Sequence, residues 1–419
     1  MFRGLVVVAL ATLFYVFSFT LRIMPSAMTH QIMSTLHIEA QLLGILVGMM
    51  YTGYTLMQIP VGLLFDRFSS RKILTLAAFF CSTGSVLLGA TNHYWVSLLG
   101  SLIMGMSEAF GFVGVLVLSA RWFPAKYFAL IVGIVQMMGA IGAILGEGPI
   151  ALLVTHHGWH QTVLSMATFG YVVTLMVWLF VRDKTSNHTN HSHSSANRLT
   201  EWQRLKLVSH NSQTWWLALY SFCIWAPVLI LAGLWLVPFL MVLYQTSNTV
   251  AASASSWVWV GIGLGSPLFG WWSNLIGRRC MPLAVSAVLS LVGSLIIIYG
   301  GTLSWPLMCL VLFIFGLGAS GQALSFGVVQ DNNAPHVAGT AVGINNMAVV
   351  FGGVLLQPLI GILLHLQWGG SVYNGVPVYT VSDYQHALIV APLCGLIALV
   401  ISLFLLKETH CQPIHEQRP

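Results

Sequence analysis

Residues 62–72 read Gly-Leu-Leu-Phe-Asp-Arg-Phe-Ser-Ser-Arg-Lys, a turn with four charges, Asp66, Arg67, Arg71 and Lys72, wedged between two long apolar stretches. Asp, Glu, Lys and Arg make up only 6% of the 419 residues, so a cluster this dense marks a place where the chain leaves an apolar environment. A degraded copy begins about half the chain length further on, at Gly270-Trp-Trp-Ser-Asn-Leu-Ile-Gly-Arg-Arg, with Asn274 where Asp66 stood. A motif repeated at half length points to a duplicated membrane protein.

Composition agrees. With 57% hydrophobic residues and a mean hydropathy of +0.85, the chain is not a soluble domain. Twelve stretches are long enough to cross a hydrocarbon core of about 30 Å: 4–27, 41–65, 73–91, 94–119, 127–154, 162–181, 214–243, 251–273, 281–300, 305–329, 338–364 and 385–406. With both termini placed in the cytoplasm, 15 of the 16 basic residues fall in inner segments and none in an outer loop. The exception, Arg22, lies inside the first span. This segregation follows the positive-inside rule, so the net charge of +6 is a topogenic signal and not a nucleic-acid surface. The six cysteines avoid the outer loops and form no Cys-x-x-Cys pair, which argues against disulfides and a thiolate metal site. No cleavable signal peptide is evident.

The expected organisation is a six-helix bundle over 1–181, a cytoplasmic linker over 182–213, a second six-helix bundle over 214–406 and a cytoplasmic tail over 407–419. In the linker, His188, His191 and His193 are the residue type that binds transition metals, but no carboxylate or thiol stands near to complete a site. A polar tether is the preferred reading there, and no metal or cofactor is expected. Glycine pairs at Gly142/Gly146, Gly261/Gly265 and Gly339/Gly343 are expected to let helix backbones approach closely.

The pattern Gly62-x3-Asp66-Arg67-x3-Arg71-Lys72 resembles the loop between the second and third helices of the major facilitator superfamily. That resemblance covers the full chain: an all-α integral membrane protein of twelve transmembrane helices in two pseudo-symmetric six-helix halves. It implies that Asp66 engages the partner half and holds the cytoplasmic side closed when the transporter faces outward, and that the second copy, with Asn274, is a weaker latch. Two features depart from the family. Ser101 and Gly100 stand where many proton-coupled members carry a base, and the fifth-span run from Gly139 to Pro149 is similar to the antiporter motif without its downstream glycine pair.

Ionisable groups inside a bilayer are costly and are functional candidates for that reason. Glu108 sits near the middle of the fourth span, about fourteen residues or roughly 21 Å from Tyr94, and is the candidate for proton coupling or substrate binding. Arg22 and Glu147 fall at similar depth when counted from the span limits, which predicts that they pair, as an outer gate or as a binding site for a carboxylate. Snorkelling of Arg22 to the outer headgroups is the alternative. Tyr51, Tyr54 and Gln58 share one face of the second helix. Gln136, Gln322, Ser325, Asn345 and Asn346 are further intramembrane polar groups, and Trp225, Trp235, Trp257 and Trp259 are candidate cavity walls. No Walker loop, His-Glu-x-x-His or nucleophile elbow occurs, so neither ATP-driven transport nor an enzyme is expected.

The reading is a monomeric secondary transporter of the bacterial inner membrane, moving a small polar organic anion by alternating access with a proton as coupling ion. Multidrug efflux is the alternative within transport, and a non-transporting receptor or scaffold the alternative outside it. Single cysteines at Asn92 and His157 are predicted to react with an impermeant thiol reagent added outside intact cells, and one at Ser69 is not. Outside labelling of Ser69 would overturn the topology.

Overall fold

The computed structural model describes residues 2–124, 128–182, 201–334, 337–373 and 376–412. The linker histidines His188, His191 and His193 lie outside the described residues. Twelve long helices carry the fold: α1 (Arg3–Leu36), α2 (Ala40–Arg67), α3 (Ser70–Gly89), α4 (Tyr94–Trp122), α5 (Phe128–His157), α6 (Trp159–Phe180), α7 (Ser212–Tyr244), α8 (Asn248–Ile276), α9 (Cys280–Tyr299), α10 (Trp305–Asp331), α11 (Ala338–Gln367) and α12 (Val381–Leu405). Eleven are long and apolar enough to cross a membrane. The other, α8, has the length at 29 residues, but Asn248, Ser253, Ser255 and Ser256 dilute its hydropathy. A short helix, Glu201–Ser209, precedes α7, and a two-stranded hairpin pairing Val372–Tyr373 with Val376–Pro377 joins α11 to α12.

Several helices run past the expected limits. The sequence places the end of the first span at residue 27, yet α1 continues to Leu36. It tightens into a 3₁₀ turn over Met24–Met28 that takes in Pro25, which lacks an N–H, and stops at left-handed His37. In α7, Pro227 and Pro238, which lack N–H donors, flank a π turn at Leu231–Trp235. A capping box opens α12: Thr380 Oγ1 accepts from the Asp383 N–H, and Asp383 Oδ2 accepts from the Thr380 N–H.

Small residues set the packing within each half. A side chain on Gly53 would collide with the Leu102 carbonyl and one on Gly105 with the Met50 carbonyl, so α2 and α4 touch backbone to backbone. Gly261 against the Phe313 carbonyl and Gly316 against the Val258 carbonyl do the same for α8 and α10. Gly261 lies as far along the chain from Gly53 as Gly270 lies from Gly62, so packing repeats with the same offset as the charged motif.

Between the halves, contact is closed at one end and open at the other. Call the end with residues 66–72 the loop end, and its opposite the far end. Toward the far end, a side chain on Gly44 would collide with the Gln357 carbonyl and one on Gly361 with the Ala40 carbonyl, and a Cβ on Gly48 would stand 3.1 Å from Pro358, so α2 and α11 are locked. Midway, Asn346 Nδ2 donates to Gln58 Oε1 at 2.8 Å. Beyond that, a Cβ on Gly62, Gly339 or Gly343 would meet nothing within 4 Å among the described residues. The expectation that Gly339/Gly343 packs closely is therefore not met in this state, whereas Gly142 and Gly146 do pack, on the Val16 and Thr20 carbonyls of α1. The second diagonal behaves alike. Thr155 and Thr249 hydroxyls sit 3.4 Å apart, and a Cβ on Gly148 would stand 3.3 Å from Ser253 and one on Gly263 3.2 Å from Ala140, but one on Gly133 or Gly270, two turns further toward the loop end, would meet open space among the described residues. The halves form a V that opens at the loop end.

Two substitutions separate these roles. Gly44→Leu forces a clash in this state and is expected to destabilise it by about 1–3 kcal/mol, the usual scale of overpacking. Gly343→Leu has room and leaves the melting temperature in detergent unchanged, but it obstructs closure of the loop end and lowers uptake. Equal uptake by Gly343→Leu and wild type would show that the diagonals do not close there.

Candidate functional site

The site lies at the apex of the V. Arg22 of α1 and Glu108 of α4 form an ion pair, Nη2 to Oε1 at 2.7 Å, with Arg22 only 6% exposed and Glu108 1%. An isolated charge at that depth is prohibitive, and each ion makes the other tolerable. The pair predicted from span limits, Arg22 with Glu147, is not formed. Depth alone does not separate the two acids, since Arg22 and Glu147 both stand about 28 Å along their helices, from Arg3 and from Phe128; what differs is the face, Glu147 turning to Ser255 and Trp259 while Arg22 turns to Glu108. It does not snorkel. Three rings surround the guanidinium: Phe19 at 4.7 Å, Tyr54 at 4.8 Å and Tyr51 at 5.8 Å from ring centroid to Cζ. Arg22 Nε, Glu108 Oε2, the Tyr51 hydroxyl and Gln58 Nε2 are buried without a hydrogen-bond partner among the described residues. Of these, Arg22 Nε belongs to a side chain that also lines the central cavity, so it is a donor free for a ligand oxygen.

Arg22 and Tyr54 open onto a cavity of about 90 Å³ between the halves. Tyr15, Gln136, Ser266, Gln322 and Asn346 supply its other polar groups, and Trp225 and Trp259 aromatic walls. Sequence reasoning named all of these but Tyr15 and Ser266, and the remaining candidates lie elsewhere. Ser325 and Asn345 join Ser221 in a closed triangle of hydrogen bonds at 2.8–2.9 Å that ties α7, α10 and α11 together. Trp257 is 46% exposed on the outer wall, and Trp235 is buried in α7 away from this cavity.

Glu147 of α5 is fully buried and crosses to the other half. Its Oε1 accepts from Ser255 Oγ at 2.7 Å and from the Trp259 indole N–H at 3.2 Å, both on α8. Trp259 in turn packs edge-on against Phe19, with centroids 5.7 Å apart, and so links the far-end contact to the Arg22 cage.

At the loop end, Gly62 lies in the open stretch and Arg67 and Lys72 are exposed; the Asp66 side chain lies outside the described residues. Ser69 Oγ caps α3 by accepting from the Lys72 N–H, and Arg71 stacks on Trp178 at 4.2 Å while donating to its carbonyl. Arg121, not singled out in the sequence, donates to the Phe65 carbonyl at 3.0 Å and to Ser70 Oγ at 2.8 Å, binding the end of α2 to the start of α3. The second copy is better supplied with acids than Asn274 suggests. Arg279 Nε donates to Asp331 Oδ2 at 3.0 Å, and Glu408 accepts from the N–H groups of Arg279 and Cys280 at 2.7 and 2.9 Å, capping α9. Neither acid stands near Arg279 in sequence, so no local motif announces them. No cluster of metal-ligating side chains occurs among the described residues.

Two six-helix bundles around a central polar cavity, closed at one end and open at the other, define a membrane transporter. The family model described as "Major Facilitator Superfamily" matches residues 8–356 and 231–417, and the chain belongs to that superfamily. The hexuronate transporter of Escherichia coli (strain K12) is 25% identical over 388 residues, covering 85% of this chain and 86% of that protein. The probable galactarate/D-glucarate transporter GarP of the same strain is 28% identical over 183 residues, 41% of this chain; the match spans only 39% of GarP. In fold, the chain is similar to a bacterial homologue of the human lysosomal transporter Spinster in an inward-facing, unoccupied conformation, with a TM-score of 0.78, 16% identity and coverage of 100% of this chain and 98% of that one.

Glu408 yields a test of the second loop. Burial alone pushes its carboxyl up, but the backbone N–H groups of Arg279, Cys280, His410 and Thr409 outweigh that and hold it below the usual carboxylate range. The cap is thus fully present above the ordinary carboxylate pKa and is lost as pH falls through the lowered value. Glu408→Gln is expected to speed amide hydrogen exchange at Arg279 and Cys280 at neutral pH, and wild type to approach the variant only in acid. Unchanged protection in Glu408→Gln would remove the cap from the account.

Proposed function

We propose that the chain carries a sugar acid across the bacterial inner membrane by alternating access, with a proton as coupling ion. The observation that carries this reading is Arg22. It is the one basic side chain in the interior of the described spans, it opens onto the central cavity, and its only charged partner is a carboxylate that a substrate carboxylate can replace. The sugar-acid class is supported by the relatives' names and by the lining. Tyr54, Gln136, Gln322 and Asn346 suit hydroxyl groups, and Trp225 and Trp259 offer ring faces to the apolar side of a sugar. The cavity is smaller than the roughly 300 Å³ at which ligand pockets begin, so binding requires its aromatic walls to rearrange.

The charge arithmetic gives the coupling. Empty, Arg22 and Glu108 sum to zero. A carboxylate that binds Arg22 leaves the site with one negative charge in a low-dielectric interior, and a proton on Glu108 restores neutrality. With the basic loop end in the cytoplasm, the open V faces inward and both termini are cytoplasmic. Glu147 then belongs to the outer gate, where its bonds to Ser255 and Trp259 must break before the far end opens. The gating loop, Gly62, Asp66, Arg67, Arg71 and Lys72, acts when the loop end closes. Multidrug efflux is less well supported, because a lipophilic cation would meet Arg22 in the cavity.

Uptake of glucuronate, galacturonate and galactarate into proteoliposomes tests the reading. Arg22→Gln should abolish uptake and, by leaving Glu108 unpaired, cost about 3–5 kcal/mol of stability. Adding Glu108→Gln to it should restore stability without uptake. Glu108→Gln alone should keep substrate exchange and lose accumulation driven by a pH gradient. Uptake of a sugar acid by Arg22→Gln at the wild-type rate would sink the assignment.

A further inference from the structure

Among the described residues, the contacts of the α2–α3 loop take up Arg71 but leave the side chains of Arg67 and Lys72 over. Arg71 is taken up by Trp178 of α6, and the neighbouring Arg121 by Phe65 and Ser70. Lys72 instead lines the loop end of a groove on the outer wall of the first bundle, between α2 and α3 with α4 as floor. The groove measures about 560 Å³. Its rim is formed by exposed Phe68, Leu76 and Phe80, and its one hydroxyl, Ser107 Oγ, is already bonded to the Ile103 carbonyl at 2.7 Å. From Lys72 to Phe80 it runs along α3 for about 12 Å, into the depth of the membrane.

A polar solute has nothing to bond to in such a groove, whereas an alkyl chain fits it. At its mouth a lysine stem lies along apolar surface while the ammonium reaches the headgroup layer, with exposed Arg67 nearby in the same loop. We propose that this groove is a binding site for an anionic phospholipid, one acyl chain lying between α2 and α3 and the phosphate resting on Lys72. A zwitterionic lipid brings its own ammonium to the phosphate and gains less from the lysine, so the site discriminates by headgroup charge. The leaflet facing a basic loop end is also the one in which anionic lipids create an attractive surface potential. The site requires only that the chain is inserted in a membrane, and is independent of which solute it carries.

The purified full-length protein in detergent can be titrated with palmitoyl-oleoyl phosphatidylglycerol, with the matching phosphatidylcholine, or with glycerol 3-phosphate, and bound ligand counted by native mass spectrometry. Wild type should retain phosphatidylglycerol more tightly than phosphatidylcholine. Lys72→Gln should weaken phosphatidylglycerol by about fivefold, as one basic residue near a membrane surface is worth. Lys72→Arg should preserve binding, and Arg278→Gln, the same charge loss in the other half, should leave it unchanged. Three results would each overturn the proposal: equal retention of phosphatidylcholine, no effect of Lys72→Gln in a monodisperse protein, or displacement of the lipid by glycerol 3-phosphate, which would make the site one for a free phosphate.

Discussion

A guanidinium in the middle of a bilayer has to be neutralised, and among the described residues only the Glu108 carboxylate does so. The 2.7 Å contact between Arg22 and Glu108 fixes which helices are neighbours, since α1 must bring residue 22 level with residue 108 of α4. It also explains the aromatic cage, because Phe19, Tyr51 and Tyr54 offer the cation their ring faces. An ion pair buried in this way is weak evidence for stability, since an apolar replacement of the same shape is often as good. Its retention in a chain with so few charges is better explained by use.

The second constraint is the pair of small-residue diagonals. Glycines allow α2 and α11 to touch at the far end, and glycines again leave smooth surfaces where the same helices part. Such stripes permit two rigid bundles to rock about a central point, closing one end as the other opens. The two constraints meet at Trp259, whose ring rests on Phe19 beside Arg22 and whose N–H bonds Glu147 in the closed far end. On the proposed reading, substrate at Arg22 and closure at the far end are thereby felt by one side chain.

What the sequence made legible was local. The charged loop, its degraded copy and the long apolar runs are contiguous patterns, and they identify the twelve helices, including α8, which is too polar to stand out by hydropathy. The depth-based pairing of Arg22 with Glu147 failed because equal depth says nothing of the face: Glu147 turns to Ser255 and Trp259 across the halves, and Arg22 turns to Glu108 within its own. A 3₁₀ turn carries α1 past the expected limit at residue 27 to Leu36. The acids of the second loop, Asp331 and Glu408, were invisible because they reach Arg279 from distant parts of the chain. Among the polar residues, nothing local distinguishes Asn346, which faces the cavity, from Asn345, which faces Ser221; that depends on helix rotation fixed by tertiary packing.

The charge carried with each transported anion tests the account most directly. In proteoliposomes with equal pH on both sides, a potassium diffusion potential can be imposed and uptake of a monoanionic hexuronate followed. One proton on Glu108 for each carboxylate on Arg22 makes the cycle electroneutral. The potential alone should then drive no accumulation, while a pH gradient at zero potential should. Accumulation driven by the potential without a pH gradient would contradict the exchange of carboxylates at Arg22.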